Sequence, residues 1–228
     1  MSEPRIPPRS STSWDAEVLD ALSVLRMPDT ATPEQRAGRG KRSVPNLLGI
    51  LTWHPDLAKA FLVFNNHLFG STLSARAREM VTVRVSWLRR GEYEWAQHVT
   101  MARAAGVSEA EIDAISEGPE AAIWGRFDAA LLRSVDEIIT GRYISDATWK
   151  LLEEQLDRKQ LMDLVFTIGA YDMLAMAFNN FGLQLDSGLS GFPAEGNRLG
   201  VELSQSGRGP GGLIFRSEGK AGAAWHQR

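Results

Sequence analysis

From Asn46 to Gly182 the chain is a run of helix signals, each closed by a breaker, and no segment alternates polar and apolar residues as a strand does. NLLGILTW leads to His54-Pro55, and Pro55 suits the first turn of the next helix, DLAKAFLVFNNHLF, which ends near Gly70. A helix over Ser74–Arg90 is punctuated by Gly91, and one over Tyr93–Ala105 is stopped by Gly106. Ser108 caps a short helix, with Glu111 in the capping-box position. Arg126–Thr140 is amphipathic and closes at Gly141, Ser145 or Asp146 starts ATWKLLEEQL, and Asp157 starts the most apolar segment, which ends near Asn180–Gly182. Upstream, Trp14–Leu25 carries helical spacing, with Thr12 as its cap and Asp15 three residues on. The pattern predicts an all-α bundle of about eight helices with short connections.

The layout has three parts. Residues 1–43 form an arm with one short helix, and Pro28–Arg42 within it is loop-like. Residues 44–187 form the helical domain, and residues 188–228 form a tail that holds 10 of the 21 glycines. From Asn197 onward the tail has five basic and two acidic residues, a weak footprint for nucleic acid. The net charge of −3 calls for no polyanionic partner. The first ten residues lack an apolar run, and the longest apolar stretch, Leu164–Phe178, is broken by Asp172 and too short to span a bilayer. The expectation is a cytoplasmic protein with no membrane and no nucleic-acid partner. Cysteine is absent, so disulfides, zinc–thiolate sites and a cysteine nucleophile are excluded.

Two neighbouring helices concentrate the ionisable groups. On the Ser74–Arg90 helix, Ala77, Met80, Val81, Trp87 and Leu88 make an apolar stripe, with Arg84 in its middle and Glu79 at its edge. A guanidinium there needs a carboxylate, so Arg84 is expected to pair with Glu79 or with a carboxylate on the next helix, Glu94 included. Arg84 is expected either to clamp a substrate anion or to fix two helices. On the next helix, His98 lies within the face formed by Trp95, Val99 and Ala102, and Glu94 lies one turn before it. A carboxylate raises an imidazole pKa and burial lowers it, which holds such a pair near neutrality, where acid–base work is done. The same pair also suits a core histidine satisfied by its neighbour. His54, His67 and His226 form no ligand cluster, so no metal and no cofactor is expected.

The block LSARAREMVTVRVSWLRRGEYEWAQH, from Leu73 to His98, followed by ARAAGVS from Ala102 to Ser108, resembles the carboxymuconolactone decarboxylase family, which shares the alkylhydroperoxidase-D-like fold. The resemblance extends more loosely over residues 44–186, through the Asn46–Pro55 stretch and the Asn180–Gly182 pattern. It implies an alkylhydroperoxidase-D-like helical bundle and a homo-oligomer, for which the last long helix offers apolar faces. The peroxidase branch uses a Glu, a C-x-x-C pair and a His; Glu79 matches the Glu, His98 the His, and the cysteine positions fall on Gly91 and Glu94. The chain keeps the proton-handling frame without the redox atoms. It is more similar to the decarboxylase branch, which carries a Glu four residues before the His.

The resulting expectation is a cofactor-free acid–base enzyme of decarboxylase type, acting on a small carboxylated lactone or related acid. His98, Glu94 and Glu79 would be catalytic, and Arg84, Tyr93 and Trp95 would bind substrate. The alternative is a non-catalytic helical oligomer or small-molecule binder in which these residues form a buried network fixing helix register. Cysteine-dependent peroxide reduction is disfavoured.

Overall fold

The computed structural model describes residues 3–25 and 44–193. The expected loop over 28–42 and the tail from residue 194 lie outside the described residues. The described residues hold nine α-helices and no strand: α1 (Ala16–Leu22), α2 (Asn46–Leu51), α3 (Pro55–Phe69), α4 (Ala75–Arg89), α5 (Glu92–Ala104), α6 (Glu109–Glu117), α7 (Arg126–Gly141), α8 (Asp146–Glu153) and α9 (Arg158–Phe181).

Local chemistry accounts for the boundaries. Pro55 opens α3, and its N-cap His54 accepts from the Leu57 amide. Ser108 and Glu111 form the expected capping box on α6, and Asp157 with Gln160 forms another on α9. Two ends differ from expectation. Asp15, rather than Thr12, caps α1 by accepting from the Val18 amide at 3.0 Å. Gly141 lies inside α7, which closes on Arg142 in the left-handed region.

Helix α4 is the centre of the bundle. Glu79 to Trp87 is buried without interruption, because α5, α7 and α9 cover it from different sides. It runs into α5 through Arg90, whose φ of 54° is left-handed, and Gly91. One core layer joins α4 to α7 and α9 through Val81, Val85, Leu131, Leu164, Ile168 and Phe178. A second lies between α4, α5, α6 and α7 around Met80, Trp87, Trp95, Ile115 and Leu132. The N-terminal arm is tied down by backbone bonds from Ile6 to Phe181 and from Arg9 to Gly49. Phe192 packs on Trp87 and Trp95.

Helix α9 is longer than its apolar stretch. Its most apolar window has a mean hydropathy of 1.5, long and apolar enough by composition to cross a membrane. Leu161, Leu164, Ile168, Tyr171, Ala175 and Phe178 instead bury one side of it in the bundle.

Candidate active site

The α4–α5 hairpin brings Glu79 and His98 together, although nineteen residues separate them. His98 Nδ1 lies 2.7 Å from Glu79 Oε2, and both side chains are buried. Arg78 Nε donates to the other oxygen, Oε1, at 3.1 Å. Burial pushes the Glu79 carboxyl up, but His98 and Arg78 outweigh it and hold the group below its ordinary value. An ionised carboxylate only accepts, so Nδ1 must carry the proton it donates. That leaves Nε2 as the ring nitrogen for a ligand. The Tyr171 ring stands edge-on to the imidazole, with centroids 4.7 Å apart, and fixes its plane.

Glu94 has a different environment. Its side chain is buried, and neither carboxyl oxygen has a hydrogen-bond partner. Burial pushes its pKa up to about 7. The expected Glu94–His98 pair is therefore corrected: the imidazole takes Glu79. Adjacent turns do place Glu94 beside His98, but the Glu94 carboxyl turns toward Gly91. A Cβ at Gly91 would sit 2.7 Å from Glu94 Oε2 and 3.1 Å from the Ala175 Cβ. Glycine at 91 makes the space that the carboxyl fills.

Glu94 and His98 both line a cavity of about 250 Å³. Its walls are largely apolar, built from Leu48, Phe61, Leu62, Phe69, Met101 and Leu174 among others. Asn65, Tyr93 and Gln97 supply further polar atoms, and no Lys or Arg is among the described lining residues. The Tyr93 hydroxyl donates to Asp186 at 2.8 Å, and Gln97 Nε2 donates to the same carboxylate at 2.9 Å. Asp186 also accepts from the Asn46 amide at 2.7 Å, which pins the chain after α9 and the start of α2 beside the cavity. Burial, followed by the hydrogen bond to Asp186 and then its charge, pushes the Tyr93 phenol far above its ordinary value, so it stays neutral. Asn65, Gln97 and Asp186 were not singled out from sequence. Gln97 alone had a signal, its place one residue before His98.

Arg84 and Trp95 lie elsewhere. Five residues on an α-helix turn about 140°, so Arg84 leaves α4 on a different side from Glu79. It pairs with neither Glu79 nor Glu94. Its Nε and Nη2 each donate to Asp136 on α7 at 2.8 Å, a bidentate pair. Its Nη1 donates to the carbonyls of Ile115 and Ser116 at the end of α6, at 2.7 and 2.9 Å. At Gly118, φ is +114° and a Cβ would lie 2.8 Å from Arg84 Nη2, so a side chain there would meet the guanidinium. Arg84 thus joins three helices and does not line the cavity. Trp95 faces away from the cavity, its ring 5.3 Å from Trp87 and 5.1 Å from Phe192.

Comparison with known proteins agrees with this frame. The fold is that of the AhpD-like helical proteins. An uncharacterized peroxidase-related protein from Ralstonia eutropha JMP134, with an alkylhydroperoxidase AhpD core, superposes with a TM-score of 0.66 over 82% of this chain and 94% of its own, at 16% identity. An uncharacterized peroxidase-related protein from Silicibacter sp. TM1040 gives 0.61 over 82% and 96%, at 18% identity. A protein of unknown function from Agrobacterium tumefaciens gives 0.55 over 60% and 94%, at 22% identity. No curated protein matches the sequence. Residues 55–133 match the model of the carboxymuconolactone decarboxylase family, and the chain has no cysteine. Glu79, Glu94 and His98 all fall inside the matched segment.

Proposed function

We propose that this chain is an acid–base enzyme of decarboxylase type, acting on a small carboxylated lactone or related acid bound in the α3–α5–α9 cavity. The observation that carries the reading is the Glu94 carboxyl. It is buried, unpartnered and held near neutrality on a cavity wall, one turn from an imidazole already oriented by Glu79. A group whose pKa lies near the working pH suits proton transfer in either direction.

The chemistry balances without a redox partner. The bond between the substrate carboxyl and its neighbouring carbon breaks, and carbon dioxide leaves. The electron pair passes into a conjugated carbonyl of the substrate, giving an enolate. A proton from Glu94 then restores the C–H bond, and solvent reprotonates Glu94. In this reading the His98 ring is the imidazolium, with a proton on each nitrogen; its Nε2–H donates to the enolate oxygen, and the Glu79 carboxylate on Nδ1 offsets the positive charge of the ring. The apolar walls support the direction of reaction. A carboxylate in these apolar walls meets no described Lys or Arg, and losing carbon dioxide disperses the charge that is costly there.

The test is carbon dioxide release and ultraviolet change on a panel of carboxylated lactones and β-keto acids, with His98→Gln as the paired protein. Turnover that falls roughly 10²- to 10⁴-fold in the variant supports the reading. Equal turnover by both proteins sinks it.

A further inference from the structure

Where the turn after α3 meets the start of α9, a second carboxyl is buried. Asp163 is 7% exposed. Its Oδ2 accepts from the Thr72 amide at 2.7 Å and from the Thr72 hydroxyl at 2.8 Å, and His67 Nε2 donates to Oδ1 at 2.8 Å. Burial pushes the Asp163 carboxyl up, but Thr72 and His67 outweigh it and hold the group below its ordinary value. An ionised carboxylate only accepts, so the proton on His67 Nε2 is fixed and Nδ1 is the nitrogen left for a ligand. Thr72 alone already ties α9 to this turn. The third bond does something else: it holds in one orientation an imidazole that is 58% exposed.

That imidazole borders a cavity of about 320 Å³, walled by Phe64, Met162 and Phe166 and shared with Lys159. None of these residues lines the α3–α5–α9 cavity. The volume is at the lower end for ligand sites, which start at about 300 Å³, so it suits a single ring. Phe64 and Phe166 stand edge-on with centroids 6.4 Å apart, and aromatic pairs of that kind extend readily to a third ring. Charge decides the other end of the ligand. Asp163 and Lys159, both on α9, are the charged groups that share the cavity with His67. The Asp163 oxygens are taken by three donors of the protein itself. Lys159 makes no ion pair among the described residues, and it stands in the first turn of α9, where the helix dipole disfavours a cation. A carboxylate beside Lys159 relieves that cost, and it accepts from His67 Nδ1 once the ring takes up a second proton. An inorganic anion would leave the apolar walls facing water.

We propose that this cavity is a separate binding site for a small aromatic carboxylate, its ring against Phe64 and Phe166 and its carboxylate between Lys159 Nζ and His67 Nδ1. The site stands apart from the proposed reaction and is tested without it. Benzoate is titrated into the full chain while the ring resonances of His67 and His98 are followed by nuclear magnetic resonance, with His67→Gln to assign the first. The His67 signal should move and saturate. Lys159→Gln should weaken binding roughly 10- to 100-fold, the scale of a lost charge-assisted hydrogen bond, and Lys159→Arg should retain it. Phe166→Ala, at a side chain 55% exposed in the free protein, should weaken it roughly tenfold with the helical circular dichroism unchanged. Acetate lacks the ring and benzyl alcohol lacks the charge, so each should bind more weakly than benzoate. Because Nδ1 gains a proton on binding, affinity should be higher at about pH 6 than at about pH 9. A His67 signal that does not saturate, or that responds to inorganic phosphate as strongly as to benzoate, overturns the proposal. So does binding that Lys159→Gln leaves unchanged, or a shift of His98 alone, which would assign benzoate to the first cavity.

Discussion

Gly91 and Glu94 share one volume: the space a side chain at 91 would need is the space that Glu94 Oε2 occupies, 2.7 Å from the Gly91 Cβ position. These are the two positions where the peroxidase branch of the resembled family carries its cysteines. The absence of a side chain at one is the condition for a buried carboxyl at the other. Gly91→Ala should push the carboxyl off its place against the cavity wall. Steady-state kinetics should show kcat down roughly 10- to 100-fold, the scale of a small misplacement of a reacting group, with the melting temperature changed far less.

Glu94 also imposes a pH dependence on stability. Its ordinary pKa is 4.5, and burial raises it to about 7 in the folded chain. Between these values the folded state binds more protons than the unfolded one. Stability therefore falls as pH rises from about 4.5 to about 7 and levels off above, by up to about 3 kcal/mol. Glu94→Gln keeps the shape and removes the titration. Denaturant melts should show the variant more stable than wild type at pH 8 and little changed at pH 5.

Glu79 has the opposite sign. It is held below its ordinary value, so its contribution is present at neutral pH and lost as pH falls through the acid range. Glu79→Gln leaves the Arg78 guanidinium and the His98 Nδ1 proton without their carboxylate. The cost should be about 3–5 kcal/mol in urea unfolding, and turnover should fall with it.

The Arg84–Asp136 pair separates architecture from chemistry. Asp136→Asn removes a charge from the bidentate contact that joins α4 to α7, which is not part of the cavity lining. Thermal unfolding should show a loss of about 2–4 kcal/mol. The folded fraction should keep the wild-type kcat and KM at low temperature.

How much of this the sequence carried follows the range of each interaction. Helices were legible because their ends are local: Pro55, the Ser108–Glu111 box and Asp157 act within one turn. The same locality misled at Glu94, where the one-turn rule names His98 as its partner, yet the open space at Gly91 draws the carboxyl away. Asp136 lies 52 residues from Arg84 and Asp186 lies 93 from Tyr93, distances over which only the packing of helices decides who meets whom. Glu79 with His98 was within reach because the family resemblance places both in one motif, while their 2.7 Å contact depends on the α4–α5 turn.

The most direct measurement is the pH dependence of kcat/KM for carbon dioxide release by wild type, set beside Glu94→Gln. If Glu94 is the proton donor, the wild-type rate should fall as pH rises through about 7, where the buried carboxyl ionises. The Glu94→Gln rate should lie roughly 10²- to 10⁴-fold below the wild-type plateau. A Glu94→Gln protein that keeps the wild-type rate, with the same limb near neutrality, would contradict the account.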